Sequence, residues 1–377
     1  RISGTGANAD SVLQAAPGSE TAIALAVLKE VASHSSHLTD AEKATVAALT
    51  GSASMASAAS ASGLSDSQLK HLVDDLGHAK HAVVLPAESL NLGKNAVAHH
   101  TAVLLLNKAL GGIGKHFNYS AAKPIQHVPS HKGITDLIAD LNTGSVEVLV
   151  IKDTNPVYSL PVNIGFADAM GKAKFSVAFA ETMNETVAQA DLVLPVLHDL
   201  ESWGEVNTYA GCDMLQQPVM EPRWDARQAE DHLHEILFPP ADQLKKPKRP
   251  FMDYLKAKWV AKFADAAAAN PDKFWRDSLE KGGHFNMAAS GENLPLSGNL
   301  AGMTLDASHS GGALQLQVIE SARFGDGRFA NRTWMHELPD QMTSITWDSF
   351  LEMNMEAAKA KGIDYGDVVK LTAGVVS

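Results

Sequence analysis

Val146-Glu147-Val148-Leu149-Val150-Ile151, followed by the turn Asp153-Thr154-Asn155-Pro156, is the stretch on which the fold turns. Its run of branched apolar residues is too short for a buried helix and is closed by an Asn-Pro turn, so it reads as a core strand. Residues 134–141 have helical spacing, and residues 166–170 form a further short helix. Phe175-Ser176-Val177-Ala178-Phe179 is a second strand. A helical segment at 185–189 then leads to a third, Ala190-Asp191-Leu192-Val193-Leu194-Pro195. Short apolar strands alternating with helices predict an α/β fold with a doubly wound parallel sheet covered on both faces.

Towards the amino end, residues 18–32 predict a helix with Ser19 at its cap. Residues 47–62 are almost entirely Ala, Ser, Gly and Thr. That composition suits either a flexible linker or a small-residue helix packed closely on a neighbour. Ser65-Asp66-Ser67-Gln68 opens an amphipathic helix carrying Leu69, Leu72, Val73 and Leu76, and His81 to Pro86 reads as a short strand. Residues 96–110 form a helix stopped by Gly111-Gly112.

Beyond Pro222 the texture changes. Helices are predicted at 227–237 and 252–269, linker at 239–240 and 245–250, and loop at 280–312. Strands at 314–319 and 367–372 predict the start of a β-rich domain. The domain division is therefore 1–220, 221–312 and 313–377.

The 377 residues carry 31 Lys plus Arg against 43 Asp plus Glu, a net charge of −12. Such a chain repels phosphate backbones unless it has a local basic patch. The single basic run, Lys245-Lys246-Pro247-Lys248-Arg249, is too short to supply one, so no nucleic-acid partner is expected. The longest apolar runs, such as Ala102-Val103-Leu104-Leu105-Leu106, fall far below the ~20 residues of a bilayer span. One cysteine, Cys212, cannot close an internal disulfide or ligate an iron-sulfur cluster by itself. A first residue other than Met and an end just after a strand-like run suggest part of a longer polypeptide.

No residue is assigned a catalytic, cofactor-binding or metal-ligating role. The sixteen histidines include close pairs, such as His127 with His131, but Pro129 breaks any helix that would align those two, and no pair has a third ligand at a familiar interval. There is no Gly-x-Ser-x-Gly elbow. Gly111-Gly112-Ile113-Gly114-Lys115 has the wrong spacing for a phosphate loop and is explained as a helix stop. Glu201, Glu205 and Asn155 follow strands, where ligands of open α/β sheets sit; such positions also occur in loops without any ligand.

Two segments carry a family resemblance. The run from Val148 through Asn155-Pro156 to Pro161 resembles the strand and Asn-Pro turn of the molybdopterin oxidoreductase family, which includes dimethyl sulfoxide reductase. So does Asn184-Glu185-Thr186-Val187-Ala188-Gln189-Ala190-Asp191-Leu192-Val193-Leu194-Pro195, continuing to Leu200-Glu201-Ser202-Trp203-Gly204. Further on, Phe324-Gly325-Asp326-Gly327-Arg328-Phe329-Ala330-Asn331-Arg332-Thr333-Trp334, Glu337-Leu338-Pro339-Asp340 and Gly366-Asp367-Val368-Val369 resemble the molybdopterin-like B subunit of alternative complex III, a bacterial quinol-oxidising membrane complex.

That resemblance implies a Rossmann-like domain followed by a β-rich domain of the molybdopterin-dinucleotide-binding type. It implies a non-catalytic scaffold and electron-transfer subunit, peripheral on the outer, periplasmic face of the inner membrane. Its partners would be a cytochrome c and integral membrane quinol-binding subunits, and its iron-sulfur clusters would lie in another part of the subunit. Departures from the cofactor-binding pattern imply that molybdopterin is absent. Ala180 stands where an acidic residue would hold the nucleotide, and Ala210-Gly211-Cys212 stands where relatives have Glu-Gly-Arg; each unmade bond to a buried ligand costs about 1–3 kcal/mol. The other reading is a catalytic molybdopterin subunit of the polysulfide or tetrathionate reductase type, with Asn155, Thr182 and Asp191 near a pterin guanosine.

Overall fold

A computed structural model describes residues 4–87, 95–117, 119, 130–239, 250–286, 294–296, 300, 303–305, 307, 314–319, 321, 323–325, 327 and 329–372. The chain separates into two compact units, one of residues 1–120, 289–319 and 362–377, the other of residues 121–288 and 320–361. These boundaries follow contacts in space, whereas the division at 220 and 312 followed sequence texture.

The first unit is helical: α1 (Gly4–Ala7), α2 (Glu20–His34), α3 (Asp40–Leu49), α4 (Met55–Ser62), α5 (Asp66–His78) and α6 (Ala96–Ala109). Five consecutive residues of α2, Ala24 to Leu28, are buried, so this helix is the core element with neighbours on every side. Helix α6 packs along it through Ala102, Val103, Leu105 and Leu106. The Ala/Ser-rich stretch resolves as the close-packed helix: α4 places Ala58, fully buried, beside Ala26, Leu64 and Leu69. Capping boxes at Thr39/Glu42, Ser54/Ser57 and Ser65/Gln68 start α3, α4 and α5, satisfying amide groups that each first turn leaves free.

Two expectations for this unit are corrected. Ser19 precedes α2 but does not cap it: its own backbone is helical, and its Oγ donates to Ala16 O at 2.6 Å. The 81–86 run is not a sheet strand. Val84 N–H donates to Asn107 Oδ1 at 2.9 Å, and Asn107 Nδ2 donates to Val84 O at 2.8 Å. A buried side-chain amide on α6 thus takes the place of a neighbouring strand.

The second unit holds both sheets. Strands β1 (Val148–Lys152), β2 (Phe175–Ala180) and β3 (Leu192–Pro195) are parallel and lie in that order. Helices α7 (His131–Thr143) and α9 (Phe166–Met170) pack Ile138, Leu141, Phe166 and Met170 onto Leu149 and Ile151, and α8 (Pro156–Ser159) follows β1. Only one face of β1 is covered among the described residues. Val148 and Val150, on the opposite face, are 55% and 51% exposed, contrary to a sheet buried on both faces. Among the described residues the parallel strands run in the order β1-β2-β3.

An antiparallel sheet follows: β4 (Gly204–Tyr209) and β5 (Cys212–Gln216) form a hairpin, and β6 (Gly283–Phe285) adds to β5. The remaining helices are α10 (Ala229–Leu237), α11 (Pro250–Lys262), α12 (Ala264–Ala267), α13 (Pro271–Glu280), α14 (Thr333–Glu337) and α15 (Met355–Ala360). Leu255, Trp259, Phe274 and Trp275 form a buried cluster that also receives Trp203 and Leu215. The β-rich region expected from residue 313 is not observed among the described residues. Residues 314–319 and 367–372 belong to no strand among the described residues, and Leu314, Val318 and Val368 remain more than half exposed. An apolar alternation makes a strand only where a second backbone completes its hydrogen bonds.

Candidate functional site

The carboxyl ends of β1, β2 and β3 open onto a cleft of about 370 Å³. Lys152, Asp153, Thr154 and Asn155 line it from the turn after β1, Ala180 to Thr182 with Asn184 from the turn after β2, and Val196 and Leu197 from beyond β3. Trp203, Glu205, Gln216, Gln228 and Glu230 contribute from the hairpin and α10, and Phe329 and Arg332 from the segment before α14. This is where ligands of open parallel sheets bind.

Asn155 explains the Asn-Pro turn. It is only 5% exposed. Its Oδ1 accepts from Thr186 Oγ1 at 2.7 Å and Thr186 N at 3.2 Å, and its Nδ2 donates to Glu185 Oε2 at 2.7 Å. Thr186 Oγ1 in turn accepts from Val157 N at 3.0 Å. The two motifs that carried the resemblance are therefore one structure: a latch that joins the turn after β1 to the Asn184-Glu185-Thr186 turn before β3. All these groups are committed to one another, so the turn is rigid where it meets the cleft. Just before it, Asp153 lies in the left-handed region at φ 50°, a conformation that Asp tolerates better than bulkier residues.

Glu205 lines the cleft, but its carboxylate is engaged, accepting from Trp259 Nε1 at 2.7 Å and pairing with the Lys258 ammonium. Glu201 does not line it: the side chain is buried and accepts from Arg223 N at 2.9 Å and His198 N at 3.2 Å. Of the residues singled out for a pterin guanosine, Asn155 and Thr182 reach the cleft. Asp191 lies just before β3, away from the carboxyl ends, and its Oδ2 accepts from Ser176 Oγ and N, both at 2.7 Å. Those two bonds hold its carboxyl below the usual carboxylate range. Ala180 lines the cleft, whereas Ala210-Gly211-Cys212 forms the tip of the β4–β5 hairpin outside it, with Cys212 buried.

Gln228, Glu230, Phe329 and Arg332 were not legible as cleft residues in the sequence. Gln228 clamps the backbone of Trp203, accepting from its N at 3.0 Å and donating to its O at 2.6 Å, the device that Asn107 uses on Val84. Neither amide has a sequence signature, because its partner lies more than twenty residues away.

The electrostatics weigh against a nucleotide. Five carboxylates line the cleft (Asp153, Glu181, Asp199, Glu205, Glu230) against two cations, Lys152 and Arg332, and both cations are already paired. Lys152 Nζ lies 2.7 Å from Asp153 Oδ2 and 3.3 Å from Glu230 Oε1. Partial burial works against its charge, but these two carboxylates win and hold its pKa above the ordinary value. Arg332 Nη2 lies 2.7 Å from Glu181 Oε2. Among the described residues, the phosphates of a pterin guanine dinucleotide would meet a net negative wall whose two cations are already paired. The described residues do not fit that group.

The relationships of the chain agree with its architecture. A family model described as molybdopterin oxidoreductase matches residues 29–237, more than half of the chain. The menaquinone reductase, molybdopterin-binding-like subunit of Nitratidesulfovibrio vulgaris (Hildenborough) is 29% identical over 351 residues, 87% of this chain and 48% of the relative. The chain thus spans about half the length of the curated relative it matches. Among solved structures, acetylene hydratase from Pelobacter acetylenicus superposes with a TM-score of 0.50 at 15% identity, covering 63% of this chain and 41% of that one, a likeness of fold alone. Both motifs joined by the Asn155 latch fall inside the matched region, and on that match the chain belongs to the molybdopterin oxidoreductase family.

Proposed function

We propose that the chain is part of a cofactor-free, molybdoenzyme-like scaffold and electron-transfer subunit of a bacterial quinol oxidoreductase of the alternative complex III type. The observation that supports this reading is the cleft at the carboxyl ends of the parallel strands, where the described residues present five carboxylates and two cations that are both paired. The similarity to a molybdopterin-binding-like subunit of a menaquinone reductase supports the quinone connection. In this reading the parallel strands belong to a Rossmann-like domain that kept its fold without its ligand. With one cysteine in the sequence, iron-sulfur clusters would be carried by another part of the subunit or by neighbours.

The partners are a cytochrome c or similar acceptor and integral membrane subunits that bind the quinol, on the periplasmic face. No helix among the described residues is long and apolar enough to cross a membrane, which suits attachment through such partners. Elemental analysis of the purified complex tests the reading: molybdenum and tungsten at background are expected, and acid extracts should release no guanosine nucleotide. One molybdenum or tungsten per chain would overturn it in favour of a catalytic subunit of the polysulfide or tetrathionate reductase type.

A further inference from the structure

The segment before α14 crosses the mouth of the cleft. Gly327, at φ 93°, lies so close to the ring of Tyr158 that a Cβ there would collide with it, and Tyr158 belongs to α8, directly after the Asn155 turn. Asn331 Nδ2 donates to Met183 O at 3.2 Å, and Arg332 pairs with Glu181. The segment therefore touches the lip beyond β1 through Gly327 and the lip beyond β2 through Asn331 and Arg332, with Phe329 and Arg332 facing the cleft. Its base is buttressed. His336 Nε2 contacts Ala330 O at 2.5 Å, and the His336 ring stacks on Trp347 at 5.2 Å and 10°. Trp347 itself is held at φ 66°, a strained setting for a bulky residue that the surrounding contacts must maintain.

We infer that the cleft is a guanidinium site filled in cis, with Phe329–Arg332 of the strap as its own occupant and Arg332 as the recognised group. The carboxylates that make the cleft unsuitable for phosphates make it suitable for a planar cation, and Glu181 on its lip offers an acceptor for the guanidinium fork. The inference rests on the cleft being free of a nucleotide cofactor.

Hydrogen exchange read by mass spectrometry on the intact complex tests it. In Arg332→Ala, peptides over 329–337 and 181–185 should exchange about three- to fivefold faster, the range set by a partly exposed ion pair. Glu181→Gln, with Arg332 intact, should give the same release. Low-millimolar guanidinium should restore protection in Arg332→Ala, and ammonium at equal ionic strength should not. Unchanged exchange in Arg332→Ala and Glu181→Gln, or equal rescue by ammonium, would overturn the inference. Metal content separates this result from the wider reading: molybdenum in the unmodified complex overturns the cofactor-free scaffold whatever the strap does, whereas a strap that stays protected without Arg332 overturns only the filled site.

Discussion

At the scale of single residues, Asn155 is the most informative side chain. It makes three hydrogen bonds from a position only 5% exposed. Truncation leaves Thr186 and Glu185 with unmet groups, and each buried group costs about 1–3 kcal/mol. Asn155→Ala is therefore expected to lower stability by about 2–4 kcal/mol, seen as a fall in the urea midpoint at constant slope. His99 is a second case. It is 4% exposed, and its Nε2 accepts from Ala87 N at 3.0 Å, so the ring is held neutral; burial and the neighbouring His100 push its pKa down. A histidine depressed in the folded state takes up its proton more readily when unfolded, so stability is lost as pH falls below about 6.5 towards the folded value. Stability should decline over that window by no more than about 1.4 kcal/mol per pH unit from this group. His99→Gln should flatten that part of the stability curve. The sequence marked Asn155 by its turn, but it could not mark His99, because burial is a property of how α6 packs.

At the scale of elements, the helices and parallel strands were legible because each carries its own signal: cap residues, a 3.6-residue apolar stripe, or a short branched run between turns. Residues 47–62 show where that fails. Their composition is equally compatible with a linker, and what decides is the buried face that α2 offers to Ala58. Ala58→Leu should overpack that contact and cost about 1–3 kcal/mol, measurable by thermal or urea unfolding, whereas the same change at an exposed position of α4 should be nearly silent. The opposite error occurred at 81–86, where an apolar run suggested a strand. A strand needs a partner, and Asn107 supplies one for Val84 from a helix that no local pattern connects to it. Helix α13 was missed although Asn270-Pro271 starts it by a standard signal, with Asn270 Oδ1 accepting from Lys273 N at 2.9 Å. The strap was illegible for a deeper reason: Arg332 finds Glu181 across 151 residues, and pairings at that range leave no trace in spacing.

At the scale of the whole molecule, a charge of −12 favours encounter with basic partners. If the acceptor is a basic cytochrome c, the association rate measured by stopped flow should fall roughly tenfold or more between ~10 mM and ~0.3 M salt, as screening removes the long-range attraction. A rate independent of salt would mean that this surface does not steer the acceptor. The two compact units have a further consequence for synthesis. The chain passes between them after residues 120, 288, 319 and 361. On the ribosome, residues 1–120 are made before the parallel sheet and hairpin, but Leu305, which joins the core around α2, is made only after them. The amino-terminal helices must therefore hold an unfinished core while most of the other unit is translated. That interval is when a chaperone would find apolar surface to bind.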